Sequence, residues 1–369
     1  MKSVVPPSIA VPGPATSAIE RVVSAPTRQE RVVGIGVVGY GYWGPNLVRN
    51  FNMTPGARLV AVSDLSQARL ADVKAQFPAV RTMTSYDEML QDQDVHAVAI
   101  ATPVSTHFRL AMQALEAGKH VLVEKPLAMN SAQAALLVEE AERRGLTLMV
   151  DHTFVYHGAV RKIRELVMTG QVGRLHYFDS TRVNLGLFQR DVDVLWDLAV
   201  HDLSIMDFVI GEAPRAVAAT GAAHVPGQPV NIAYLTCFFE DSLIAHINVN
   251  WLAPVKVRRT LIGGDRQMIV YDDLEPSEKV KVYDRGVTVG DGPSGPDGPY
   301  EMFVGYRTGD MWAPKVSAAE ALSVETQHFV ECVAGGHTPL TDGKAGLRIV
   351  RILEAATLSL KQGGCPVQL

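Results

Sequence analysis

Several features are scarce in this chain of 369 residues. It has three cysteines, Cys237, Cys332 and Cys365, widely spaced and without a CxxC pair. That argues against both a disulfide framework and a structural zinc site, so no metal is expected, and it suits a reducing cytoplasm. No apolar stretch approaches the ~20 residues that a membrane span needs. Residues 1–30 contain PPS, PGP and APT but no continuous apolar core of a secretory signal. They read as a flexible leader, or alternatively as an arm that docks on a partner subunit. An excess of charge is also missing. A net charge of -5 supplies no electrostatic reason to expect nucleic acid or an anionic membrane as partner. The local cluster Lys256, Arg258 and Arg259 suits at most a small anion.

What is present is ordinary for a globular protein of two domains: 47% hydrophobic and 20% charged residues. From residue 31 short β-branched runs alternate with longer runs of helical spacing. RVVGIGVVG, ARLVAVSD, VHAVAIATP, HVLVEKP and LTLMVDHTF read as buried strands. LSQARLADVKAQF, THFRLAMQALEAGK and SAQAALLVEEAERRG read as helices between them. This predicts an α/β doubly wound parallel sheet, a Rossmann domain over residues 31–150. Beyond it the pattern changes. A helix in HGAVRKIRELVMTGQVG and a strand in RLHYFDSTRVN precede the helical VLWDLAVHDLSIM, and six closely spaced strand-like runs follow, from PRAVAATGA to KVKVYDRG. A C-terminal α+β domain with a large open, mainly antiparallel sheet is expected over residues 151–340. GVTVGDGPSGPDGPY (286–300) is too rich in Gly and Pro for regular structure. An amphipathic C-terminal helix within residues 341–369 is expected to return toward the first domain. No internal repeat is present.

Two overlapping GxGxxG hexads compete for the role of dinucleotide-binding turn: GIGVVG (Gly34, Gly36, Gly39) and GYGYWG (Gly39, Gly41, Gly44). A pyrophosphate-binding turn follows a strand and opens a helix. The first hexad leaves almost no strand before it, whereas the second leaves a full one and puts Pro45 in the first helical turn. The second is therefore chosen. Gly39 permits the tight turn, Gly41 the approach of the pyrophosphate, and Gly44 the close packing of helix on strand. Asp64 ends the next strand and can accept hydrogen bonds from the ribose hydroxyls while repelling a 2′-phosphate, which predicts NAD in preference to NADP. Alternatively Asp64 merely caps the following helix. HVLVEKPLA sets Glu124 and Lys125 at the C-terminal end of a strand, the edge where open α/β sheets bind ligands.

These residues resemble the glucose–fructose oxidoreductase and inositol dehydrogenase family (Gfo/Idh/MocA). GYGYWG, Asp64, ATPVSTH (101–107), EKP (124–126) and DLAVHD occur in that family's order, and the likeness spans about residues 31–365. The resemblance implies an NAD(P)-dependent oxidoreductase acting on CH-OH groups of sugars, cyclitols and related polyols, with a homodimer or homotetramer built on the open sheet. It implies cofactor contacts at Tyr42, Trp43, Thr102, Pro103, His107 and Glu124, and catalytic roles for Lys125, Asp197 and His201.

Asp197 and His201 are four apart, so on a helix both project from one face. A histidine with pKa near neutrality suits removal of a hydroxyl proton, a neighbouring carboxylate can fix its tautomer or bind substrate, and Lys125 can hold a developing alkoxide. The bland alternatives are that Asp197 caps its helix, that Asp202 is a solvated charge, and that His201 is a satisfied core residue. For the substrate, Arg182, Asn184 and Phe188 precede the catalytic helix and Trp251 follows a later strand. Arginines there (Arg182, Arg190, Arg258) suit a phosphate, a diphosphate or a uronate, and each reads alternatively as a surface cation. The run WDLAVHDLSIMDFVIG resembles members acting on nucleotide-linked sugars at C3. Alternatives are an inositol or free-monosaccharide dehydrogenase and, in another class, a non-catalytic NAD-binding regulator.

Overall fold

Each of the five apolar runs read as strands enters one parallel sheet in the computed structural model, which describes residues 32–186, 192–289 and 304–369. The strands are β1 (Val33–Val38), β2 (Ala57–Ser63), β3 (Arg81–Met83), β4 (Ala97–Ile100), β5 (His120–Glu124) and β6 (Leu148–Asp151), in the order β3-β2-β1-β4-β5-β6. Helices α1 (Gly44–Met53), α2 (Gln67–Gln76), α3 (Tyr86–Gln91), α4 (Val104–Glu116) and α5 (Ser131–Arg144) connect them. β1 and β4 are buried along their whole length because helices cover both faces of the sheet. The edge strand β3 and the short α3 were not expected. RTM is too short and polar to produce an apolar run, and its register is set by β2 instead. Strand order reverses between β1 and β4, so the loops after them diverge and leave a crevice at their C-terminal ends.

A 3₁₀ turn (Thr153–Tyr156) and α6 (Gly158–Met168) lead into β7 (Leu175–Leu185). A π turn (Leu195–Ala199) runs directly into α7 (Val200–Ile210). Strands β8 (Ala216–Ala222), β9 (Ile232–Phe238), β10 (Ile244–Asn250), β11 (Leu252–Gly264), β12 (Met268–Asp272) and β13 (Val280–Tyr283) come next. β14 (Gly286–Val289) and β15 (Val304–Arg307) form an antiparallel pair of their own, followed by β16 (Met311–Trp312), α8 (Ala321–Gly335), α9 (Gly343–Lys361) and β17 (Val367–Gln368). The second sheet has nine strands in the order β16-β13-β12-β11-β7-β10-β9-β8-β17, antiparallel except for the β7–β10 pair. One face is closed by α6, α7 and α9, whose apolar residues join those of the sheet in one core.

Two expectations need correction. Residues 286–289, read as part of an irregular loop, pair with 304–307, because Val287, Thr288 and Val289 form a β-branched run after Gly286; the remainder of that loop, like residues 1–30, lies outside the described residues. Helix α8 was not anticipated, since buried Glu325 and Thr326 break its apolar stripe. It rests on α1 of the first sheet: Phe329 meets Phe51 edge-on at 6.1 Å, and Thr54 and Thr326 share a hydroxyl hydrogen bond of 2.9 Å. Helix α9 lies between α5 and β8, with Ile349 in the core of the second sheet and Val350 in that of the first.

Candidate active site

A cavity of about 1150 Å³ opens at the C-terminal ends of β1, β4, β5 and β6. One half is built from the glycine turn. Gly39 has φ +93°, and a Cβ there would lie 2.4 Å from the Ala101 carbonyl oxygen, so only glycine fits. A Cβ on Gly44 would meet the Gly39 oxygen at 2.1 Å, which explains how α1 approaches the strand. Gly41 differs: its nearest neighbour would be Arg69 Nη1 at 3.8 Å, so the space in front of it is open to a phosphate group. Asp64, buried at the cavity wall, accepts hydrogen bonds from the Tyr40 amide at 2.7 Å and the Ser66 amide at 2.8 Å. Each carboxylate oxygen keeps a lone pair for a ribose hydroxyl. Arg69 Nη1 stands 3.5 Å from Asp64. Tyr42, Trp43, Thr102 and Pro103 line the same half. These features fit a dinucleotide lying across the turn.

His107 does not line the cavity. It is buried beneath the wall, with Nε2 2.8 Å from the Thr102 carbonyl and Nδ1 2.8 Å from that of Pro126. Burial lowers its pKa, and a neutral ring can donate to only one of the two carbonyls. It therefore acts as a strut between two loops that do line the cavity.

The other half joins residues from distant strands. Lys125 Nζ donates to the Asp197 backbone carbonyl at 3.0 Å and to its carboxylate at 3.3 Å. The second Asp197 oxygen accepts from Trp251 Nε1 at 3.1 Å. Lys125, Asp197 and His201 all line the cavity. Asp197 thus neither caps its helix nor orients His201. The cap is Asp193, whose Oδ1 accepts from the Leu195 and Trp196 amides. Between the two residues the helix widens to a π turn, in which the Val200 amide reaches back to the Leu195 carbonyl. Such extra-residue turns recur at functional sites because they re-aim a side chain without breaking the helix.

His201 packs edge-on against Phe154, centroids 5.2 Å apart, and its buried Nδ1 has no hydrogen-bond partner. Burial, together with Lys125, Arg182, His152 and Arg258, pushes its pKa well below the usual histidine value, rather than leaving it near neutrality. A neutral imidazole in contact with the cavity is a proton acceptor. Behind it His152 is buried with both ring nitrogens unpartnered, and burial and Lys125 lower its pKa to about 3. Glu124, also on the wall, is pushed toward its protonated form by burial and by the carboxylates of Asp151 and Asp197.

Three expected substrate contacts are not on the cavity wall. Arg182 and Asp202 form a buried ion pair, Nε to Oδ2 2.6 Å, reinforced by Ser180 Oγ at 2.8 Å. Asp202 is accordingly not a solvated charge, and Arg182 lies under the Phe154 ring at 4.4 Å. Asn184 donates to the neighbouring Leu185 carbonyl. Trp251 is buried and holds Asp197. Phe188 and Arg190 fall outside the described residues. In their place Asp151, Thr153, Phe154, His157, Trp196 and Arg258 line this half. Asp151 ends β6 and Thr153, Phe154 and His157 follow it, and the rule that located Lys125, that ligands meet strand C-termini, would have found them. Among the described residues no group of three or more His, Cys, Asp or Glu side chains is arranged to hold a metal, and no helix is long and apolar enough to cross a membrane.

Comparison with known proteins agrees with this fold. Residues 33–152 match the model of an oxidoreductase family with an NAD-binding Rossmann fold, and residues 160–270 match the GFO/IDH/MocA C-terminal domain. A UDP-N-acetylglucosamine 3-dehydrogenase of Acidithiobacillus ferrooxidans is 29% identical over 85% of this chain and 93% of its own length. Its crystal structure superposes with a TM-score of 0.76 at 27% identity, covering 89% of this chain and 98% of that one. A myo-inositol 2-dehydrogenase of Thermotoga maritima is 24% identical over 89% and 96% of the two chains.

Proposed function

The chain belongs to the GFO/IDH/MocA oxidoreductase family, and from that premise we propose that it oxidises or reduces C3 of a nucleotide-linked sugar, with Lys125, Asp197 and His201 as its catalytic residues. The oxidoreductase class, the NAD cofactor and a small sugar-type substrate follow from the family and its relatives. The observation that carries the finer reading is the meeting of Lys125 from the first sheet with Asp197 and His201 from the π turn and α7 on one cavity. That cavity, about 1150 Å³, exceeds the ~300–1,000 Å³ typical of a single ligand site, and so has room for a second extended ligand beside the dinucleotide.

Bound NAD supplies the hydride acceptor. Lys125, held by Asp197, directs its remaining N–H at the substrate oxygen and stabilises negative charge that develops there. Neutral His201 accepts the hydroxyl proton in oxidation and returns it in reduction. Asp197 is fixed from both sides, by Lys125 and Trp251, so it positions the lysine. Trp196 and Phe154 cover the site with apolar surface and exclude water. A homo-oligomer formed through the open sheet face is part of this reading, supported by half-exposed Tyr234 and Ile244 on adjacent strands; light scattering checks it.

The test is a panel of UDP-sugars, dTDP-sugars, inositols and free hexoses, read by NAD reduction and by thermal shift in the presence of NAD, since a ligand of the folded state raises its stability. A UDP-sugar is expected to be turned over, and Lys125→Met and His201→Ala are each expected to lower kcat by about 10²–10³-fold while NAD still raises the melting temperature. Stabilisation and turnover with inositol but no nucleotide sugar would replace the substrate. Undiminished turnover in both variants would remove the catalytic assignment.

A further inference from the structure

The cations around the substrate half are not equally held by ion pairs. Lys125 is matched by Asp197 at 3.3 Å, and Arg182 by Asp202 at 2.6 Å. Arg258, from β11, is matched only in part. Its Nη1 lies 3.1 Å from Asp273 Oδ2, yet that carboxylate also faces Lys279 Nζ at 4.0 Å. Two cations therefore share one carboxylate. The Arg258 side chain is 30% exposed and lines the cavity, while its Nε is buried without a partner. Its orientation is fixed on two sides: by Asp273, which Tyr271 hydroxyl holds at 3.2 Å, and by the Phe154 ring, 5.7 Å away. That same ring touches His201. A guanidinium pre-aimed into a cleft beside the proton acceptor, with a shared carboxylate partner and an unpartnered Nε, is built to receive an anion.

We propose that Arg258 is a specificity-determining residue, which binds an anionic group carried by the substrate: a sugar carboxylate or a phosphate oxygen of a nucleotide diphosphate. The proposal rests on the preceding reading only in requiring that the substrate enter this cavity. An anion on Arg258 orients the sugar ring relative to Lys125 and His201. An uncharged polyol lacks that anchor. Arg182 cannot serve, because it is buried away from the cavity wall with its charge met by Asp202.

The experiment compares the wild type with Arg258→Met and Arg258→Lys in NAD-dependent turnover of four probes: UDP-N-acetylglucosamine, UDP-N-acetylglucosaminuronate, glucuronate and myo-inositol. The methionine variant is expected to fall below the lysine variant in kcat/KM by about 10–100-fold on the anionic substrate, the worth of one charge-assisted hydrogen bond. A loss confined to the two uronates identifies the carboxylate as the anion; an equal loss on both UDP-sugars with none on glucuronate identifies the diphosphate. A parallel binding measurement does not depend on turnover. UDP or glucuronate is expected to raise the melting temperature of the NAD-bound wild type, and Arg258→Met to abolish that rise while keeping the rise caused by NAD itself. Arg258 is wrongly assigned if the two variants are equivalent on the preferred substrate, if myo-inositol is that substrate, or if neither anion stabilises the NAD complex. Turnover of glucuronate alone with the Arg258 effect keeps this assignment and removes the nucleotide; turnover of a UDP-sugar without it does the reverse.

Discussion

The two halves of the cavity are made by different means. The dinucleotide half is a matter of backbone: Gly39, Gly41 and Gly44 lie within six consecutive residues, and each is glycine because of where carbonyls and phosphates must fit. The substrate half is a matter of side-chain pairs over long sequence distances. Lys125 meets Asp197 across 72 residues, Asp197 meets Trp251 across 54, and Arg182 meets Asp202 across 20. Local constraint makes the first half robust and legible, whereas long-range pairing makes the second tunable and sensitive to loss of either partner.

The most severe disturbance of that contrast is Asp202→Ala. It strands the Arg182 guanidinium among buried groups and is expected to lower stability by about 3–5 kcal/mol in urea unfolding, more than any glycine-turn substitution. A small loss would mean that the pair is not the support of its half. Next comes a pair of substitutions within the turn. Gly44→Ala drives a Cβ into the Gly39 carbonyl and is expected to cost about 1–3 kcal/mol in the NAD-free protein. Gly41→Ala meets only Arg69 at 3.8 Å and is expected to leave that stability within ~0.5 kcal/mol while weakening NAD affinity in calorimetry. Equal thermal effects of the two would contradict the separate tasks given to these glycines.

A third test uses the buried acid behind both halves. Glu325 is fully buried and faces Asp151, Thr153 and Glu124; burial first, then Asp151, raises its pKa well above the ordinary value of 4.5. The folded state holds a proton that the unfolded chain releases, so the stability tied to this group is complete below about pH 4.5 and declines as pH rises toward the folded-state value. Glu325→Gln cannot titrate. Its melting temperature should gain on the wild type with rising pH, by at most about 1.4 kcal/mol of stability per pH unit. A constant difference from pH 5 to 8 would disprove the shift. The mildest case is Trp251→Phe, which removes one hydrogen bond to Asp197. About 1 kcal/mol of stability is at stake, and kcat is expected to fall with little change in KM for NAD, since the loosened group positions Lys125 and not the cofactor.

Legibility in the sequence follows the same division. The parallel sheet, the chosen hexad, Asp64 and the strand-end Lys125 could be read because strand periodicity and turn geometry act over a few residues. Asp197 and His201 were recognisable as a pair, but not their division of labour. Trp251 was expected to contact the substrate and is a buried anchor; Arg182 was expected to meet an anion and its charge is already met by Asp202. Sequence spacing carries no information about which carboxylate a distant cation will find. Arg258 was read with Arg182 and Arg190 as an arginine suited to an anion, but only the structure separates them, placing Arg258 on the cavity wall beside Phe154 and burying Arg182 against Asp202. Helix α8 escaped because the polar residues it buries, Glu325 and Thr326, interrupt the pattern by which helices are found.

The widened turn at Leu195–Ala199 sets an angular relation as well as a local shape. One residue of an α-helix corresponds to about 100° of rotation. Deleting a single residue there would restore regular winding and swing Asp197 around the helix axis, away from the Lys125 ammonium, while His201 and everything after it stayed in place. The spare residue therefore works as a rotational offset that lets one continuous helix serve two azimuths, one for the carboxylate and one for the imidazole.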